Sequence, residues 1–237
     1  MNSSPMTFSE KIISFLKNLN YKGTMPEGIS IMNPLRDDPK IIPVVSEFYG
    51  KFYSDYSLRH LILGINPGRF GAGITGIPFT DTKRLEEKCG ISIPGIRTFE
   101  PSSVFIYEMI DAFGGADKFY SKFYISAISP LGFTALGKTG REVNYNYYDS
   151  KKLTETMYDF MVRSLNKQLE FGILRDVCFC LGTGKNYKFI LELNRKFEYF
   201  DKIVPLEHPR YIMQYKSKLK HVYIAKYIEE LANLRQF

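Results

Sequence analysis

The chain has 237 residues, 44% of them hydrophobic and none in a long apolar run, so it can bury a full core as one domain and offers no membrane span. Lysine and arginine number 32 against 25 acidic residues, a formal net charge of +7, which suits a polyanionic partner without singling one out. Three cysteines, Cys89, Cys178 and Cys180, are too few and too poorly spaced for a zinc or iron–sulfur site and read as reduced, buried thiols.

Residues Met1 to Pro5 lead into Phe8-Ser9-Glu10-Lys11-Ile12-Ile13, amphipathic and charged, which predicts no signal peptide and a cytoplasmic location. Helices are expected over 8–19 and 41–52, in an N-terminal helical segment (1–55) packed on the rest rather than separate from it. Strand character follows at 61–65, 123–128, 177–181 and 202–206. Helical spacing fills the intervals at 102–113, 154–171 and 185–197, and again at 214–234, where Ile224, Ile228 and Leu231 share a face. This alternation predicts an α/β fold: a single three-layer αβα domain, 1–237, around a central, mainly parallel four-stranded sheet.

Ligands of such folds sit beyond the carboxyl ends of the strands, so the four post-strand segments form one candidate site. The first is the most informative: Gly64-Ile65-Asn66-Pro67-Gly68-Arg69-Phe70-Gly71-Ala72-Gly73-Ile74-Thr75-Gly76-Ile77-Pro78-Phe79, a bare backbone suited to close ligand approach. Its Gly71-Ala72-Gly73-Ile74-Thr75-Gly76 satisfies the dinucleotide fingerprint in letter. Asn66 and Pro67 nevertheless intervene between strand and glycines, and Pro78 stands where a helix should run. After the third strand, Gly182-Thr183-Gly184-Lys185-Asn186 lacks the upstream glycine and the Ser or Thr of a nucleotide-triphosphate loop. It reads either as a softened turn or as a helix start that holds a nucleic-acid phosphate beside Lys185. After the fourth, His208 is followed by Pro209, Arg210, Tyr211, Tyr215 and Lys216, an interleaving of basic and aromatic groups. His60 and His221 read as structural, and Asp81 and Glu100, near the glycine-rich segment, as solvated surface.

Residues 64–79 together with His208-Pro209-Arg210 resemble two motifs of the uracil-DNA glycosylase superfamily, most nearly its single-strand-selective monofunctional branch. Ser129-Pro130-Leu131 and Gly182-Thr183-Gly184 fall where that branch has similar turns, so the resemblance spans roughly residues 60–235. It implies that Asn66 positions the attacking water, that His208 faces the base and that Phe79 is the platform on which the extruded base stacks. It also implies that backbone N–H groups around Gly68, Phe70 and Gly71 bind the base's carbonyl oxygens, and that Arg210 with its neighbours Tyr211 and Lys216 enters or flanks the duplex; Lys185, beside the helix start, is the further candidate DNA contact. No metal or organic cofactor is implied, and the partner is single-stranded or duplex DNA that carries deaminated bases.

The chemistry is consistent with these residue types. Breaking an N-glycosidic bond gives C1′ oxocarbenium character and leaves negative charge on the base, so donors should face the base and a held water should face C1′. One departure bears on specificity: where uracil-reading members carry a base-pairing Asn after the second strand, this chain has Ala127, with Ser126 or Asn144 as substitutes. Such a site should discriminate less sharply, and a related branch is thought to accept hypoxanthine and xanthine besides uracil. The longer His-Pro-Ser-Pro-Arg segment with which the family wedges into the duplex is also shortened here, to His208-Pro209-Arg210. The rival expectation is a nucleic-acid or nucleotide binding protein that kept the fold and lost the chemistry.

Overall fold

The computed structural model describes residues 4–234. The chain opens with α1 (Phe8–Lys17), β1 (Ile29–Met32), α2 (Pro34–Asp37) and α3 (Ile41–Tyr53). After β2 (Arg59–Gly64) come α4 (Ala72–Thr75), α5 (Thr82–Cys89), α6 (Pro101–Phe113) and α7 (Ala116–Tyr120). There follow β3 (Phe123–Ala127), β4 (Gly132–Leu136), β5 (Glu142–Tyr145), α8 (Lys151–Leu169), β6 (Ile173–Leu181), α9 (Lys185–Phe197), β7 (Lys202–Leu206), α10 (Pro209–Tyr215) and α11 (Lys220–Ala232).

Local chemistry explains the main boundaries. Thr7 and Glu10 close a capping box over the first turn of α1, and Phe8, Ile12 and Leu16 recur at helical spacing on its buried face. Pro101 starts α6, where a missing N–H costs nothing, and Gly114 ends it in the left-handed region.

Four strands form the central sheet in the order β3-β2-β6-β7, every pair parallel, with Gly64 level with Ala127 and Leu63 level with Cys180. All six residues of β2 are buried, as expected of a strand covered on both faces. Pro205 is accommodated because β7 is an edge strand. One face packs on α1 and α3, where Tyr124 meets Phe8 and Tyr53; the other packs on α6, where Phe123 meets Phe113. Buried Arg59 ties these layers together, donating to the Tyr120 carbonyl at 2.7 Å and to Asp55 while lying 4.6 Å from the Phe8 ring. The αβα architecture and the parallel four-stranded sheet are thus as expected. The cysteines are buried and unpaired, two of them inside β6.

The structure departs from expectation in four short helices that no expected helix covers, α2, α4, α5 and α7, and in larger features. A second sheet, antiparallel in the order β1-β4-β5, joins residues 29–32 to a hairpin over 132–145, none of which is among the expected strands. The N-terminal segment is therefore not wholly helical. The single helix expected over 214–234 is broken into α10, a 3₁₀ turn over Ser217–Leu219 and α11, with Lys216 leaving helical geometry at φ −131°. Among the described residues no helix is long and apolar enough to cross a membrane.

Candidate active site

A cleft of about 360 Å³ opens beyond the carboxyl ends of β2, β3, β6 and β7, a size suited to a small ligand. Its wall brings together Asn66, Gly68 and Phe79 after β2, Lys185 after β6, and His208, Arg210 and Tyr211 after β7, with Ser126 from β3 itself; the segment 129–133 after β3, expected to join them, stays out of the wall. His60 is instead paired with Asp176 at 3.1 Å, and His221 is exposed on α11. Among the described residues no cluster of three or more His, Cys, Asp or Glu is placed to hold a metal ion.

Asn66 is held by the hairpin and the turn behind it. Its Nδ2 donates to the Tyr145 carbonyl at 3.2 Å and to the Pro67 carbonyl at 3.3 Å, and its Oδ1 accepts the Tyr147 N–H at 3.1 Å. Both amide hydrogens are thereby spent. An amide oxygen takes two hydrogen bonds, so Oδ1 keeps one lone pair in fixed orientation for a water.

His208 caps α10. Its Nδ1 accepts the Arg210 N–H at 3.1 Å, which puts the ring proton on Nε2. Burial, reinforced by the Arg210 guanidinium, holds the imidazole down to about 3, so it is neutral throughout the physiological range. A neutral imidazole with its proton on Nε2 is a fixed hydrogen-bond donor and not an acid.

Phe79 stands 5.6 Å from the His208 ring, centroid to centroid, at the end of the glycine-rich segment. Its φ is +52°, a left-handed conformation that costs a residue with a β-carbon about 1–2 kcal/mol. The ring lies over Gly64, whose missing Cβ would stand 3.0 Å from it. Lys185 begins α9 with its Nζ 5.6 Å from the Tyr148 ring centroid, and exposed Tyr211 packs on Tyr215 at the rim.

Other expectations are corrected. Phe70 is absent from the cleft wall, backbone included, because the wall takes Gly68 and Ala72 from this loop and none of the residues between them; its ring turns to solvent, 53% exposed, and lies 5.2 Å from the Arg69 guanidinium. Gly71 does not line the cleft either: its N–H reaches the Gly68 carbonyl and its bare Cα backs Glu100. Lys216 lies beyond the wall at the end of α10. Ser126 lines the cleft, but its hydroxyl donates to buried Gln168, so its proton is committed to the core. Asn144 is on β5 and accepts the Arg69 N–H at 2.9 Å, bracing the loop rather than facing the cleft.

Asp81 and Glu100 are not solvated surface. Asp81 is fully buried, pairs with Arg84 at 3.1 Å and accepts the Glu100 N–H at 2.7 Å. Glu100 lies in the cleft wall, its carboxyl pushed up to about 7 by burial, with Asp81 raising it further and Arg210 opposing. Asn146 and Tyr148 also line the cleft and were not anticipated. Residue type carries no sign of these four positions. The one available signal was that Glu100 immediately precedes a Pro-started helix.

Residues 51–232 match the model of the family described as the Uracil DNA glycosylase superfamily. Among solved structures, the crystal structure of wild-type Pedobacter heparinus SMUG2 is similar at 55% identity and a TM-score of 0.94, covering 96% of this chain and 98% of that one. No curated protein matches the chain. Fold, family match and neighbour agree with the two-motif resemblance, and they place a hydrolytic, N-glycosyl-cleaving chemistry of DNA repair on this scaffold. The chain belongs to the uracil DNA glycosylase superfamily.

Proposed function

We propose that the protein is a monofunctional DNA glycosylase that removes uracil, hypoxanthine and xanthine and leaves an abasic site for base excision repair. In this reading residues 1–237 act as one cytoplasmic glycosylase domain. The observation that carries the reading is the pairing, in one cleft, of an Asn66 oxygen with a single oriented lone pair and a neutral His208 donor. Asn66 cannot deprotonate water, and an oxocarbenium-like carbon needs an oriented water more than a deprotonated one. His208 donates to the base as negative charge gathers on it. A nucleic-acid binding protein that had lost the chemistry would have no use for this combination.

Phe79 supplies the face on which the flipped base stacks, offsetting part of the few kcal/mol that unstacking costs. The backbone of Gly68 approaches the base, and Lys185, Arg210 and Tyr211 hold the flanking strand. Ala127 leaves room and no polar contact where a pyrimidine-reading side chain would stand, which supports the broader range of bases. Water is the nucleophile, so the reaction calls for no cofactor.

Labelled single-stranded and duplex oligonucleotides carrying uracil, hypoxanthine or xanthine, cleaved at abasic sites with alkali, test the reading. Asn66→Ala and His208→Ala should each lower the single-turnover rate roughly 10²- to 10³-fold while DNA affinity changes little. No abasic product from any wild-type reaction, with salt-sensitive binding intact, would leave a binding protein.

A further inference from the structure

Glu100 occupies the N-cap of α6 yet does not use its side chain as a cap. Its backbone is fixed by the N–H bond to Asp81, and its carboxyl lies against the glycine-rich loop. Oε1 is 2.9 Å from where a Cβ on Gly68 would stand, and Oε2 is 2.0 Å from the corresponding point on Gly71. Only glycine at both positions lets the carboxyl lie there. Among the described residues the carboxyl makes no hydrogen bond and no ion pair within 4.0 Å, although it lines the same cleft as Phe79 and His208. The charged groups that face it are Arg210 from α10 and Asp81 ahead of α5, the latter already paired with Arg84.

A carboxylate in this wall would oppose the negative charge that gathers on a departing base, whereas a carboxylic acid would donate to it. We propose that Glu100 is a specificity-determining residue that contacts the base: its carboxyl, as an O–H donor backed by Gly68 and Gly71, bonds an acceptor atom of the extruded base and supplies the polar contact that Ala127 lacks. Its protonated form persists to about neutrality because burial outweighs the pull of Arg210. The inference rests on the glycosylase reading and adds to it a base-reading group and a pH dependence. His208, neutral throughout, adds no limb of its own to that dependence.

The test is the single-turnover rate on single-stranded uracil and hypoxanthine substrates, whose bases do not titrate near neutrality, from about pH 5.5 to about 8.5. Wild type, Glu100→Gln and Glu100→Ala are compared, with melting curves to establish folding. The wild-type rate should fall toward tenfold per pH unit above about 7. Glu100→Gln, a donor that does not titrate, should be flat with pH and within about threefold of the acid-side wild-type rate, while Glu100→Ala should be slower by about 10- to 100-fold throughout. A Gln variant as slow as the Ala variant would overturn the donor role in favour of an anionic one. A flat wild-type profile would overturn the proposal even if neither variant folds. Wild type yielding no abasic product would instead sink the glycosylase reading itself.

Discussion

Phe79 and Gly64 show how single residues shape the cleft. A left-handed phenylalanine is tolerated because its ring lies on the flat spot that Gly64 leaves at the end of β2. Gly64→Ala would place a methyl 3.0 Å from that ring and displace it. Single-turnover rates on uracil-containing DNA should fall about tenfold, with the melting temperature lowered by only a few degrees. Phe79 was legible beforehand through its motif. Glu100 was not, because an isolated glutamate in a loop is usually solvated, and its contact with Gly68 and Gly71 exists only once the loop has closed over it.

At the scale of elements, the β4–β5 hairpin and the turn that follows it orient the water-holding amide. Tyr145 and Tyr147 clamp Asn66, and Asn144 accepts the Arg69 N–H, so the end of β2 is fixed from a segment distant in sequence. Asn144→Ala should leave that N–H unpaired, cost about 1 kcal/mol in urea unfolding, and slow turnover several-fold through a looser Asn66. The sheet that carries this hairpin had no readable signature. Its strands are 4 or 5 residues long and too short for alternation, and β4 pairs with β1 from the distant start of the chain. By contrast, 185–197 and 202–206 were read at their observed bounds: α9 has one clear apolar face, and β7 is a compact apolar run.

Over the whole molecule, the net charge of +7 matters through placement, since Lys185 and Arg210 reach the cleft wall while Lys216 stays outside it. Affinity for a single-stranded oligonucleotide should fall linearly on a log–log plot against salt, and Lys185→Ala should lessen that slope by about 0.7 to 1. Fluorescence anisotropy titrations at several salt concentrations measure it. An unchanged slope would place Lys185 in packing against Tyr148 rather than on a phosphate.

The sequence alone determined the parallel αβα layering, the alternation of its main elements and the clustering of post-strand motifs, because these follow from local periodicity and from where glycine, proline and histidine fall relative to apolar runs. Tertiary structure alone decided which groups carry a free lone pair or proton: the clamp on Asn66, the tautomer of His208, the commitment of Ser126 to Gln168, the outward turn of Phe70 and the placement of half-buried Glu100 in the cleft wall. Protonation and hydrogen-bond direction depend on neighbours brought from other parts of the chain and on exclusion of water, and neither is a local property of residue order.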